Sequence, residues 1–130
     1  VTVAKIGGAG TYWNTNGWNV FVDNNGTGTF DTGDELLKTY SAPAMGYTLK
    51  VIEQNVSNYI TYKSDGTTNV TPATFILCDD RDGNATIEPY TAKVIFIKTG
   101  RIRMAKDTNG DGIPENDFNA NTNITSCGTY

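Results

Sequence analysis

The chain has 130 residues, 38 % of them apolar, and carries 10 Lys and Arg against 14 Asp and Glu for a net charge of −4. That length suits one domain, residues 1–130, with a real hydrophobic core. The acidic balance excludes wholesale binding to nucleic acid or membrane while leaving room for a local basic patch. There is no histidine, so the usual general base near neutral pH and the commonest metal ligand are both missing, and no enzyme is expected.

Taken in chain order, the apolar period is two almost everywhere. Strands are expected over "VTVAKI" (1–6), "GWNVFVD" (17–23), "ELLKTY" (35–40), "YTLKVIE" (47–53), "NYITYK" (58–63), "ATFILCD" (73–79), "AKVIFIK" (92–98) and "RIRMAK" (101–106), with a short last one at "NITSC" (123–127). Gly, Asn, Asp and Pro punctuate the gaps. No window sustains a 3.6-residue period, so no long helix is expected. Strands at this spacing predict an all-β fold of two packed antiparallel sheets. The stretch "DTNGDGIPENDFNANTN" (107–123) has no periodicity and reads as a polar loop.

The two cysteines, Cys78 and Cys127, read as one disulfide formed in an oxidising compartment; two buried thiols are the alternative. A bridge would tie the polar loop back to the strand carrying Cys78 and contribute about 3–4 kcal/mol by restricting the unfolded chain.

Two acidic stretches have the oxygen spacing of a calcium loop. "DNNGTGTFDTGDE" places Asp23, Asn25, Thr27, Gly28, Asp31 and Asp34 at the required offsets, with Thr where a carboxylate would bind more strongly. "DTNGDGIPEND" repeats the beginning of the pattern with Asp107, Asn109 and Asp111. Asp, Asn and Gly are equally the residues of ordinary turns, so calcium is a candidate ligand and no cofactor the simpler expectation.

The sharpest feature is a concentration of charge. Five of the ten cations, Lys93, Lys98, Arg101, Arg103 and Lys106, fall within fourteen residues, and no acid lies between Glu88 and Asp107. Arg101 and Arg103 are two apart on a strand, so they share a face about 6.5–7 Å from one another. Neighbouring phosphates of a nucleic-acid strand are similarly spaced, and each guanidinium can fork onto one. Ile102 and Met104 point the other way and are expected to anchor the strand in the core. Gly100 is placed for a tight turn needing positive φ. The competing explanation is an ordinary edge strand on which cations prevent edge-to-edge aggregation.

The ordered series "GWNVFVDNNGTGTFDTGDELL", "ITYKSDG", "ATFILCDDRDG", "AKVIFIKTGRIRM" and "ITSC" closely resembles the globular head of GspH/FimT-type minor pilins, or pseudopilins. The resemblance covers nearly all of the chain and is nearest to the FimT type. It implies a head of two antiparallel sheets with a disulfide near the C-terminus, matched by Cys78 and Cys127. It also implies a family-typical N-terminal helix, absent from this chain, that holds the subunit in the inner membrane before assembly and packs with other pilin subunits afterwards. Some FimT-like members bind DNA during natural transformation through a Gly-Arg-x-Arg motif, which here is Gly100-Arg101-Ile102-Arg103. Double-stranded DNA, contacted through its backbone, is therefore the expected partner, with Lys98 and Lys106 as helpers. The alternatives are a purely structural subunit of a pilus tip or type II secretion filament, and a calcium-stabilised adhesion module.

Overall fold

A computed structural model describes residues 1–7, 10–52, 58–70, 72–83, 86–116 and 119–127. The strands are β1 (Thr2–Lys5), β2 (Trp18–Val22), β3 (Glu35–Tyr40), β4 (Tyr47–Val51), β5 (Tyr59–Thr61), β6 (Ala73–Asp79), β7 (Ala92–Lys98), β8 (Arg101–Met104), β9 (Glu115–Asn116) and β10 (Asn119–Asn123). They form a first four-stranded sheet in the order β3-β2-β1-β5, a second in the order β4-β6-β7-β8, and a small β9–β10 ribbon. All pairings are antiparallel. The expected all-β architecture of two sheets is what the chain adopts.

The second sheet is apolar on both faces. Residues directly opposite each other in antiparallel strands project to the same side, so Phe75 and its partner Ile95 face one way while Ile76 and its partner Val94 face the other. The Phe75 side meets the first sheet: Val51, Ile60, Ala73 and Ile97 are buried there, joined by Trp13, whose ring meets Phe75 edge-on at 5.1 Å. On the Ile76 side a second cluster forms from Cys78, Val94, Phe96, Ile87, Ile124 and Cys127. The C-terminal segment is thus a lid on the outer face of the second sheet. The Cys78–Cys127 disulfide fixes it, with Cα atoms 5.9 Å apart across a sequence separation of 49.

Three expectations need correction. Residues 107–123, read as a loop, contain the β9–β10 ribbon; its residues are Asn- and Thr-rich, so no apolar alternation marked it. The segment 123–127 is not a strand: β10 ends at Asn123, and Ser126 makes only an isolated bridge to Thr86. Ile124 instead drops into the core, its N–H donating to the Pro114 carbonyl at 3.0 Å. The strand expected over 47–53 ends at Val51, and Glu53 lies outside the described residues.

Candidate functional site

The basic segment forms the outer hairpin of the second sheet. β7 and β8 are joined by Thr99 and Gly100, both at positive φ (48° and 80°), the conformation that a two-residue hairpin loop matching strand twist requires. Gly100 is constrained twice over. A Cβ there would stand 1.7 Å from the carbonyl oxygen of Gly66, so only glycine lets the hairpin tip rest against the turn that follows β5.

Register sets the display of charge. Arg101 lies opposite Lys98, and Arg103 opposite Phe96, with Ile102 opposite Ile97 and Met104 opposite Ile95. Lys98, Arg101 and Arg103 therefore share one face; for the two arginines this is what the alternation predicts. The Arg103 guanidinium lies 5.6 Å from the centroid of the Phe96 ring, a cation–π contact that holds the charge against an apolar surface. All four residues of β8 are exposed, as are Lys98 and Lys106. Lys106 sits beyond the strand end, where its carbonyl accepts the Glu115 N–H at 3.0 Å. Lys93 leaves the group: it pairs with Leu77 and takes the opposite face from Lys98.

Ile102 and Met104 do point away from the arginines, but they do not anchor the strand. They are 64 % and 51 % exposed, because β8 is the outermost strand of its sheet. Ile102 forms one lip of an apolar groove of about 320 Å³ between the sheets, lined also by Val3, Trp18, Ile60 and Ile97. The buried Trp13 Nε1 and Tyr62 hydroxyl also belong to this groove, and neither has a hydrogen-bond partner among the described residues. Burial pushes the Tyr62 phenol up from its ordinary value.

The acidic loops use their carboxylates internally. Asp23 accepts from the N–H groups of Thr27 (3.1 Å) and Gly28 (2.9 Å); Asp34 accepts from those of Asn24 (3.0 Å) and Asp31 (3.1 Å). In the second loop Asp107 accepts from the N–H groups of Gly110 and Gly112, both at 2.7 Å. Asn109 Oδ1 accepts from the Asp111 N–H at 2.9 Å. Asp111 accepts from Asn123 Nδ2 (2.6 Å) and from the Ile113 N–H (2.8 Å), and these donors hold its carboxyl below the usual range. Among the described residues no group of three or more His, Cys, Asp or Glu is placed to hold a metal ion.

One organising residue escaped the sequence reading. Glu115 is only 4 % exposed and accepts from the Thr108 N–H and hydroxyl and the Asn109 N–H at 2.8–3.2 Å. Burial pushes its carboxyl up, but the Thr108 and Asn109 donors outweigh that and hold it below its ordinary value. Nothing in its polar surroundings marks it in the sequence.

Elsewhere, Arg81 forks onto Asp79, Nε to Oδ1 at 2.7 Å and Nη2 to Oδ2 at 2.5 Å, with its guanidinium 5.3 Å from the Tyr47 ring centroid. This is the only ion pair among the described residues.

Comparison with known proteins gives one result. The family model described as type II transport protein GspH matches residues 1–100, which take in β1 to β7 and the hairpin turn; β8 with its arginines follows the matched region. No curated protein and no solved structure matches the chain. With more than half of its residues covered by that family's model, the chain belongs to the GspH family, the minor pseudopilins of type II secretion and pilus systems.

Proposed function

We propose that this head is a FimT-like filament subunit that captures double-stranded DNA by its phosphate backbone. The observation that carries the reading is the placement of Arg101 and Arg103 side by side with Lys98 on one exposed face of an edge strand. No acid occurs between Glu88 and Asp107, so the hairpin segment itself carries a net positive charge. Two guanidinium groups at a two-residue strand repeat fit successive phosphates, so the contact is electrostatic and weakly dependent on sequence. Such a subunit works at the pilus or in the periplasm, during DNA uptake.

A salt titration of binding to double-stranded DNA tests this, comparing the wild type with Arg101→Ala/Arg103→Ala. The expected result is binding by the wild type and, in the variant, lower affinity with a salt dependence shallower by about two in the log–log slope. A wild type that stays unbound even at low salt overturns the reading.

A second reading rests on the apolar groove between the sheets. With Ile102 exposed at its edge, the groove suits an apolar helix supplied by the filament, either from a neighbouring subunit or from the family's N-terminal segment. On this reading the head is a structural subunit of a pilus tip or secretion filament, and its arginines stabilise contacts between subunits. Among the described residues no helix is long and apolar enough to cross a membrane.

A further inference from the structure

The hairpin tip does not stand alone. Gly100 meets the backbone of Gly66, and the space a Cβ would occupy at Gly100 also lies 3.3 Å from the Cα of Thr67. The turn it meets is closed by two backbone bonds, Lys63 N–H to the Thr67 carbonyl at 2.8 Å and Gly66 N–H to the Lys63 carbonyl at 3.0 Å. Lys63 is exposed. A turn from the first sheet is therefore held in backbone contact with the basic hairpin of the second, and it brings a cation that is 35 residues away in sequence from Lys98.

We infer that Lys63 is a further DNA-contacting residue, so that the binding face spans both sheets and the Gly66–Gly100 contact sets its geometry. This rests on the reading of β8 as a DNA-binding strand. The chemistry is the same: a flexible ammonium acts as a point charge for a phosphate beyond those reached by the paired guanidinium groups. The turn also contains an opposing charge. Asp65 accepts the Thr67 hydroxyl at 2.7 Å and the Thr67 N–H at 2.9 Å. These bonds, with the nearby Lys63 ammonium, hold its carboxyl below the ordinary range. Asp65 is thus ionised at neutral pH and repels the phosphate that Lys63 attracts. The net effect of the turn depends on two residues whose removal acts in opposite directions.

The experiment measures double-stranded DNA binding across a salt series for the wild type, Lys63→Ala, Asp65→Asn and Arg101→Ala/Arg103→Ala, with a thermal melt of each to show that it is folded. Lys63→Ala is expected to weaken binding several-fold at low salt and to reduce the slope by about one. Asp65→Asn keeps an acceptor oxygen for Thr67 while removing the charge, and is expected to tighten binding. If the arginine pair matters but Lys63→Ala and Asp65→Asn leave affinity and slope unchanged, this inference fails and the β8 reading stands. If the wild type binds no DNA, both fall together.

Discussion

Two parts of the second sheet treat charge in opposite ways. At the end of β6 the fold consumes it: Asp79 and Arg81 neutralise each other through a forked pair beside Tyr47, next to the disulfide at Cys78. At the β8 edge the fold displays it: Arg101 and Arg103 share a face with Lys98 on a strand whose residues are all exposed. The difference lies in the sequence neighbourhood of each cation. Asp79, Asp80 and Asp82 surround Arg81, whereas no acid lies among the residues from Pro89 to Gly100 before Arg101 or from Met104 to Lys106 after Arg103. Arg81 is drawn into a pair with the carboxylate two residues away, whereas the arginines of β8 have no acid that near in sequence and stand on an exposed strand.

The comparison predicts that stability and binding separate along this sheet. The largest effect belongs to the disulfide. Cys78→Ala/Cys127→Ala frees the C-terminal lid from the second sheet and is expected to cost about 3–4 kcal/mol in chemical denaturation, mostly by releasing the unfolded chain. Below its melting transition the variant should keep the wild-type salt slope for DNA. A slope lost along with stability would show that the β6 corner and the β8 edge act as one unit.

Arg81→Ala is the next test, with a smaller effect. The pair it breaks is solvent-exposed, so melting should fall by a few degrees at most, and DNA binding should not change. Its pH dependence is more diagnostic. Arg81 holds the Asp79 carboxyl below its ordinary value, so the stabilisation is complete above the unfolded carboxylate range and disappears as pH falls through the depressed folded value. Asp79 raises the Arg81 guanidinium still further, so Arg81 stays charged throughout and adds no slope of its own. The difference in melting temperature between wild type and Arg81→Ala should therefore be constant near neutrality and shrink in strong acid. A difference that stays undiminished however acid the solution would assign the effect to the packing of Arg81 on Tyr47.

Much of this was readable in the chain because strand alternation and turn residues are local signals. β3, β6, β7 and the Thr99–Gly100 turn fall where "ELLKTY", "ATFILCD", "AKVIFIK" and "KTG" place them, and register then puts Arg101 and Arg103 on one face. Three features were hidden because they depend on distant neighbours. The continuous apolar runs "FILC" and "VIFI" mark a sheet buried on both faces, but the second face is covered by a polar tail that contributes Ile113, Ile124 and Cys127 among the described residues. The exposure of Ile102 and Met104 follows from the edge position of β8, which no alternation reveals. The approach of the Lys63–Thr67 turn to the β7–β8 hairpin depends on a contact between two glycines, Gly66 and Gly100.

The same reasoning applied to negative charge gives the smallest expected effect. The loops at 23–34 and 107–111 have calcium-like spacing, yet their carboxylates already receive backbone N–H donors: Thr27 and Gly28 for Asp23, Gly110 and Gly112 for Asp107, Ile113 for Asp111. Binding an ion would exchange some of these bonds for metal contacts, so the gain is reduced by what the loop gives up. Their oxygens are occupied by the fold, as those of Asp79 are. Thermal melts with excess calcium and with a chelator should therefore coincide, since a ligand that binds only the folded state must raise the melting point in proportion to its occupancy. A shift between the two conditions would place an ion in one of the loops. Asp107→Asn and Asp23→Asn would then locate it, because only the variant in the occupied loop would remove the shift.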